Sequence, residues 1–309
     1  MSAIIIHEVG LRDGLQMERE TVPTQRKKEW LVRLMDTGVD IIQVGSFVHP
    51  AKVPQMADTD TLFKEVLAGP RRSGAAILSG LVLNEKGLER GLACGVQMFC
   101  LGVSASETHS RKNTGMSVAE ATERIIATAQ AATASGKAVQ VSVQSAFGCG
   151  YEGHVPRENV LSIVRRYLDA DLKNISLADT AGHATPDQVE QMCEAIRALD
   201  DQTALACHFH NTYGLGLVNV YAAMKAGVRS IESSIAGLGG CPFTKIAGGN
   251  VCTEDLVHML QHMGLRTDIK LDQLIALARD VAASFGRELP GTVYRAGAIA
   301  HAVEQAARS

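Results

Sequence analysis

Ala204-Leu205-Ala206-Cys207-His208-Phe209-His210 decides how the rest of the chain is read. Small and apolar residues run into two histidines two positions apart, the pattern of a buried strand with a polar end. Side chains in a strand alternate between faces. His208 and His210 are therefore expected on one face, with Phe209 on the other. Two neutral imidazoles side by side present two lone pairs, which suits a divalent cation. A hydrogen-bonded histidine pair in a polar loop is the plainer alternative.

Working outward, a helix over 214–226 follows this strand, and a further strand over 230–235 follows the helix. On the upstream side, a strand over 174–178 ends in Asp179-Thr180-Ala181-Gly182, and Thr185-Pro186 opens a helix. The alternation extends back to the start. Strands are expected over 3–6, 39–44, 75–83, 96–101 and 138–145. Helices are expected over 24–37, from Asp58 to near Gly69-Pro70, over 84–93 and 118–134, and from Pro156 at a first helical position to Leu168. The polar stretch 104–115 reads as a loop. Downstream come a Gly-rich loop to Gly249, a helix from about Asn250 to Met263, and helices over 271–285 and 294–307.

About eight strands alternate with helices, and no linker composition interrupts them. This predicts an α/β fold, a single-domain (β/α)8 TIM barrel over about 1–265, with extra C-terminal helices over about 266–309. An open doubly wound sheet is the runner-up. Against it, no G-x-G-x-x-G follows the first strand.

Composition narrows the function. The 309 residues are 46% hydrophobic, enough for a large core, and carry a formal net charge of −3. Near-neutral charge and 4% aromatic residues argue against a nucleic-acid partner. No apolar run approaches the length of a membrane span. The seven cysteines include no C-x-x-C pair and mostly sit in apolar segments, which reads as reduced, cytoplasmic usage. The N-terminus enters a strand pattern at once, so no signal or transit peptide is expected.

In a barrel, the C-terminal ends of the strands converge on one mouth. Arg12 and Asp13, Gln43 and Ser46, Asp179, His208 and His210, and Cys241 and Asn250 would meet there. Closure makes strands one, seven and eight neighbours. Asp13 can then join the two histidines, with Asn250 as a fourth, oxygen ligand. Asp13-Gly14 is also turn chemistry, and Asn250 is also an acceptable helix cap. The ligand types fit Mn²⁺, Mg²⁺, Zn²⁺ or Fe²⁺ and lean towards Mn²⁺, because Mg²⁺ prefers all-oxygen shells.

Three segments closely resemble the 3-hydroxy-3-methylglutaryl-CoA lyases of the DRE-TIM metallolyase superfamily. They are Glu8-Val9-Gly10-Leu11-Arg12-Asp13-Gly14-Leu15-Gln16, His208-Phe209-His210-Asn211-Thr212-Tyr213-Gly214, and Ala236-Gly237-Leu238-Gly239-Gly240-Cys241-Pro242-Phe243 with Gly249-Asn250-Val251-Cys252-Thr253-Glu254-Asp255-Leu256. The resemblance implies a TIM barrel holding Mg²⁺ or Mn²⁺. It implies cleavage of a 3-hydroxy-3-alkylglutaryl-CoA to acetyl-CoA and a 3-oxo acid, and it suggests a homodimer. It places the metal ligands on Asp13, His208, His210 and Asn250, the catalytic arginine on Arg12, a mobile-loop cysteine on Cys241 and a catalytic acid on Asp179. Gln43, Ser46, Asn84, Tyr151 and Glu254 are expected to touch substrate or support the ligands. The chain departs from the family pattern at Gln43, where a glutamate is usual, at Asn211, where aspartate is common, and at Gly150, which replaces a proline.

The reaction explains these residue types. Breaking the C2–C3 bond removes a proton from a tertiary hydroxyl and leaves charge on a thioester enolate. A divalent cation lowers the hydroxyl's pKa and orients it. Asp179 or His208 is the candidate base; Asp179 is favoured, because a ligating imidazole has its lone pair engaged. Arg12 offers a planar fork of donors to the enolate oxygen. A Cys241 thiol, with an ordinary pKa of about 8.5, can return a proton to carbon. A Claisen-type synthase or aldolase of the superfamily, and a barrel that binds metal or acyl-CoA without activity, are the competing readings.

Overall fold

The computed structural model describes residues 4–69, 76–240 and 249–299. Eight parallel strands close into a barrel in chain order, β1 (Ile5–Glu8), β2 (Ile41–Ser46), β3 (Ile77–Leu81), β4 (Met98–Ser104), β5 (Ala138–Gln144), β6 (Asn174–Ala178), β7 (Ala204–His208) and β8 (Ser230–Ser233). β8 pairs with β1, Ile5 opposite Ser230 and Glu8 opposite Ser233. The helices between strands are α1 (Thr24–Met35), α2 (Thr59–Leu67), α3 (Glu85–Ala93), α4 (Glu107–Thr114), α5 (Val118–Ala134), α6 (Arg157–Asp169), α7 (Pro186–Arg197) and α8 (Gly216–Lys225). After β8 come α9 (Thr253–His262), α10 (Leu271–Phe285) and the short α11 (Val293–Ala296). This is the (β/α)8 architecture expected from the alternation.

The core lies between barrel and helices. Ile6, Ile42, Leu78, Phe99, Val141, Ile175, Leu205 and Ile231 are buried against apolar helix faces such as Trp30, Leu31 and Leu34 of α1. Inside the ring, the opposite parity is polar. His7 on β1 reaches Ser79 on β3 at 2.9 Å, and Ser176 on β6 reaches Glu232 on β8 at 2.6 Å. Each pair skips a strand, so these side chains meet across the concave, inner surface. A barrel interior is normally filled by bulky branched residues. Here its upper layer is polar, which marks that end for chemistry.

Local signals explain most boundaries. α5 begins with a capping box: Ser117 Oγ accepts from Glu120 N at 3.2 Å, and the Glu120 carboxylate accepts from Ser117 N at 2.9 Å. Pro186 occupies the first turn of α7 behind a Thr185/Gln188 box. α10 is fastened to α1 through Asp280, which accepts from Trp30 Nε1 at 3.1 Å, Arg33 Nη1 at 2.8 Å and Arg26 Nη2 at 2.7 Å.

Four expectations are corrected. The polar stretch 104–115 contains α4, capped by Ser106, whose Oγ accepts from His109 N at 3.1 Å, and closed by left-handed Gly115. Glu107–Thr114 lacks an apolar stripe, so periodicity could not reveal it. Pro156 is the N-cap of α6, not its first helical residue. Asn250 pairs with His210 in an isolated bridge, three residues before α9 begins at Thr253. Among the described residues, the helix expected over 294–307 spans only Val293–Ala296 and ends at Gly297; residues from 300 lie outside them.

Candidate active site

β1 runs into a five-residue π-helical turn, Gly10–Gly14, in which the amides of Arg12, Asp13 and Gly14 all turn back to Val9 O. This turn presents Arg12 and Asp13 at the barrel mouth. β7 delivers His208 at its last residue and His210 two positions on, while Phe209 packs outward on Phe147 with ring centroids 5.9 Å apart. The expected parity of the stretch therefore holds.

One oxygen of Asp13 and one nitrogen from each of His208 and His210 lie within 4.8 Å of one another. The two Nε2 atoms are 3.2 Å apart, and Asp13 Oδ2 is 3.8 Å from His208 Nε2. Asn250 joins from the far side. Its Nδ2 donates to Asp13 Oδ2 at 2.9 Å and to Leu238 O at 3.0 Å, and its Oδ1 is buried with no hydrogen-bond partner. Two imidazole nitrogens, a carboxylate and an unsatisfied amide oxygen form a mixed N/O donor set that fits a divalent cation.

Electrostatics agrees with that chemistry. Burial alone would raise the pKa of Asp13, but the Arg12 guanidinium and the two imidazoles hold it well below the usual carboxylate range. Burial, then the neighbouring His208, brings His210 down to about 4. Burial would also lower His208, but the Glu232 carboxylate and Asp13 raise it above its ordinary value. A second group, Cys252, Glu254 and Asp255, has a similar span but few free lone pairs. Asp255 already accepts from the Thr292 and Val293 amides at 2.7–3.1 Å, and burial keeps the Cys252 thiol protonated.

Arg12 Nη1 lies 2.5 Å from Asp13 Oδ1, and Arg12 Nε donates to Gln43 Oε1. Arg12 is thus aimed by a carboxylate on one side and a neutral amide on the other. Its side chain is 12% exposed, unlike a surface ion pair. A cavity of about 810 Å³ opens over this group, and Arg12, Asp13, Gln43, Asn84, His208 and His210 are among its walls. Asn84 also caps α3, accepting from Gly87 N at 2.9 Å.

Asp179, Ser46, Tyr151 and Glu254 are not among the walls of the cavity. Asp179 is fully buried outside its lining. Oδ1 accepts from the amides of His183 at 2.8 Å and Ala184 at 3.2 Å, Oδ2 has no partner, and burial lifts the carboxyl to about 7. Ser176, Ala178 and Thr180 line the cavity, so residue 179 takes the opposite parity. Ser46 ends β2 and is fully buried, outside the cavity lining. Tyr151 is 43% exposed, with Lys112 Nζ 3.9 Å from its ring centre. Glu254 is buried behind the β8 loop, where it accepts from Ala236 N at 3.1 Å. Cys241 lies outside the described residues.

Two carboxylates were missed. Glu8 accepts from Gly10 N at 2.7 Å, Ile235 N at 3.0 Å and the Thr253 hydroxyl, tying the first turn to the β8 loop and α9. Glu232 accepts from Ser176 and contacts His208 Nδ1 at 3.0 Å. The signal for Glu232 was a charged residue next to Ile231 in an otherwise buried strand.

Fold and site together define a (β/α)8 barrel with a divalent-cation donor set at the C-terminal mouth, the build of a metal-assisted enzyme. The family description "HMGL-like" matches residues 3–281, and the chain belongs to that family of carbon–carbon lyases. It is 36% identical over 287 residues to the hydroxymethylglutaryl-CoA lyase YngG of Bacillus subtilis, covering 93% of this chain and 95% of that protein. It is also 35% identical over 305 residues to the (R)-citramalyl-CoA lyase of Chloroflexus aurantiacus, covering 97% and 96%. A solved HMG-CoA lyase from Acinetobacter baumannii, in complex with coenzyme A and 3-methylmalate, superposes with a TM-score of 0.88 at 37% identity, covering 96% of this chain and 95% of that one.

Proposed function

We propose that this chain cleaves 3-hydroxy-3-methylglutaryl-CoA to acetyl-CoA and acetoacetate with a bound Mg²⁺ or Mn²⁺. The observation that carries the reading is the convergence of Asp13, His208 and His210 beside Arg12 at the cavity wall. Asp13, His208, His210 and the Asn250 oxygen hold the cation. When bound, it lowers the pKa of a tertiary hydroxyl and fixes that hydroxyl's orientation.

In the retro-Claisen step the C3 hydroxyl loses its proton, the C2–C3 electron pair moves onto the thioester as an enolate, and C3 becomes the ketone of acetoacetate. Arg12, held by Gln43 and Asp13, stabilises the enolate oxygen with a fixed fork of donors. Of the two base candidates, only His208 lines the cavity, and it takes the hydroxyl proton on Nε2 only while that lone pair is not bound to the cation. Asp179 supports the turn after β6 instead. The Cys241 thiol gives its own proton to the enolate carbon, and the proton released from the hydroxyl restores the thiol. Lys52 and Arg124 in the cavity wall are cations available to the phosphates of coenzyme A. A cytoplasmic homodimer that uses the C-terminal helices as contact surface completes the reading, and sedimentation of the purified chain tests the dimer.

A second reading is favoured by Gln43, which stands where the family glutamate is usual: a related 3-hydroxyacyl-CoA, such as citramalyl-CoA, is the better substrate. Acetyl-CoA release from each thioester, with and without Mg²⁺ or Mn²⁺, separates the two. Turnover of hydroxymethylglutaryl-CoA that depends on added metal supports the first reading. Full turnover in metal-free protein ends both.

A further inference from the structure

We propose that Glu232 is a positioning residue that selects the tautomer of His208. Resting on the metal reading above, it assigns a role to a carboxylate below the ligand group. Glu232 Oε2 lies 3.0 Å from His208 Nδ1, so an ionised carboxylate there accepts a hydrogen bond from Nδ1–H. The proton on Nδ1 leaves the lone pair on Nε2, the atom that faces Asp13 and His210. Glu232 is itself held from behind, because Ser176 Oγ donates to Oε1 at 2.6 Å. All three side chains are buried.

The second imidazole gives the contrast. His210 is instead held by the Thr180 backbone and the Asn250 side chain, with no carboxylate on its Nδ1. One histidine of the pair is anchored by a carboxylate and the other is not. A carboxylate behind a ligating histidine fixes the ring and raises its basicity, and losing one typically weakens metal affinity by about 10–100-fold. The geometry serves His208 equally as ligand or as base, since either role uses the Nε2 lone pair.

The test uses the full chain labelled with ¹⁵N-histidine, metal-free near pH 9, with His208 assigned by comparison with His208→Gln. The expected spectrum shows His208 protonated on Nδ1 and bare on Nε2. In Glu232→Gln, the Nε2–H tautomer should grow and the Mn²⁺ Kd should rise on the order of tenfold to a hundredfold. A merely structural role for Glu232 would lower Tm and leave the tautomer alone. An Nε2–H tautomer in the unaltered protein overturns the assignment, as does a Kd for Glu232→Gln within about twofold of the parent. Should Glu232→Gln fail to fold, the unaltered protein's spectrum still decides, and Ser176→Ala, which frees Oε1, should weaken Mn²⁺ binding by a few-fold. If the unaltered protein binds no Mn²⁺, the metal reading fails, while the tautomer measurement still judges Glu232 by itself.

Discussion

Gln43 shows how much one atom can change a site. It keeps the acceptor that Arg12 Nε needs and removes the charge a glutamate would bring. Gln43→Met keeps the length and loses the acceptor. A hydrogen bond to a charged group is worth about 1.5–3 kcal/mol, so kcat/KM should fall by about ten- to a hundredfold, and Gln43→Glu should restore most of it. Steady-state rates of the three proteins check this. Asp13 carries more. Asp13→Asn removes the only carboxylate of the ligand group and with it the counter-charge for Arg12. Mn²⁺ titration should show binding lost or greatly weakened, and kcat should drop on the order of 10² to 10³ or more.

Among the elements, the loop after β8 does the positioning. Asn250 reaches Asp13 only because this loop lies close against the first turn. A Cβ on Gly14 would stand 2.7 Å from Leu238 Cβ, and one on Gly239, at φ +109°, would stand 2.6 Å from Asn250 Nδ2. Gly239→Ala should therefore cost about 1–3 kcal/mol of stability and weaken Mn²⁺ binding, read by thermal melts and titration. The loop is supported from behind by Glu254, which accepts from Ala236 N while burial lifts its carboxyl to about 8. An unfolded glutamate titrates near 4.3, so between these values the folded chain binds the extra proton. That contribution is fully present below about pH 4 and is lost as pH rises through about 8. Glu254→Gln should melt close to the parent at pH 5 and above it at pH 9, by roughly 2–4 °C for each kcal/mol recovered.

At the scale of the molecule, a cation held by the proposed ligand group would link metal binding to folding. The ligand group joins β1, β7 and the segment after β8, on both sides of the barrel's closing seam. A cation bound there stabilises only the closed ring. At a hundred times its Kd it should add about 2.7 kcal/mol, and a chelator should lower Tm by a corresponding 5–10 °C or so. An unchanged melt on chelation, in a protein shown to hold metal, would argue that the seam is not what the metal secures.

The chain's own periodicity was enough to place the strand over Asn174–Ala178 and the helices over Val118–Ala134 and Leu271–Phe285, because alternation and helical spacing are local properties of a dozen residues or fewer. It was also enough to put His208 and His210 on one face, since strand parity needs no partner. The same parity, counted from Ser176, turns Asp179 away from the cavity, although the convergence of strand ends predicts it at the mouth. Only the tertiary structure decided that α4 is a helix, that Glu8 ties the first turn to the β8 loop, and that Glu232 stands beside His208 in the cavity wall; the meeting of Asp13 and Asn250 across 237 positions is expected from barrel closure alone. Those contacts arise when the ring closes and β8 comes beside β1, and no window of sequence contains both sides of that seam.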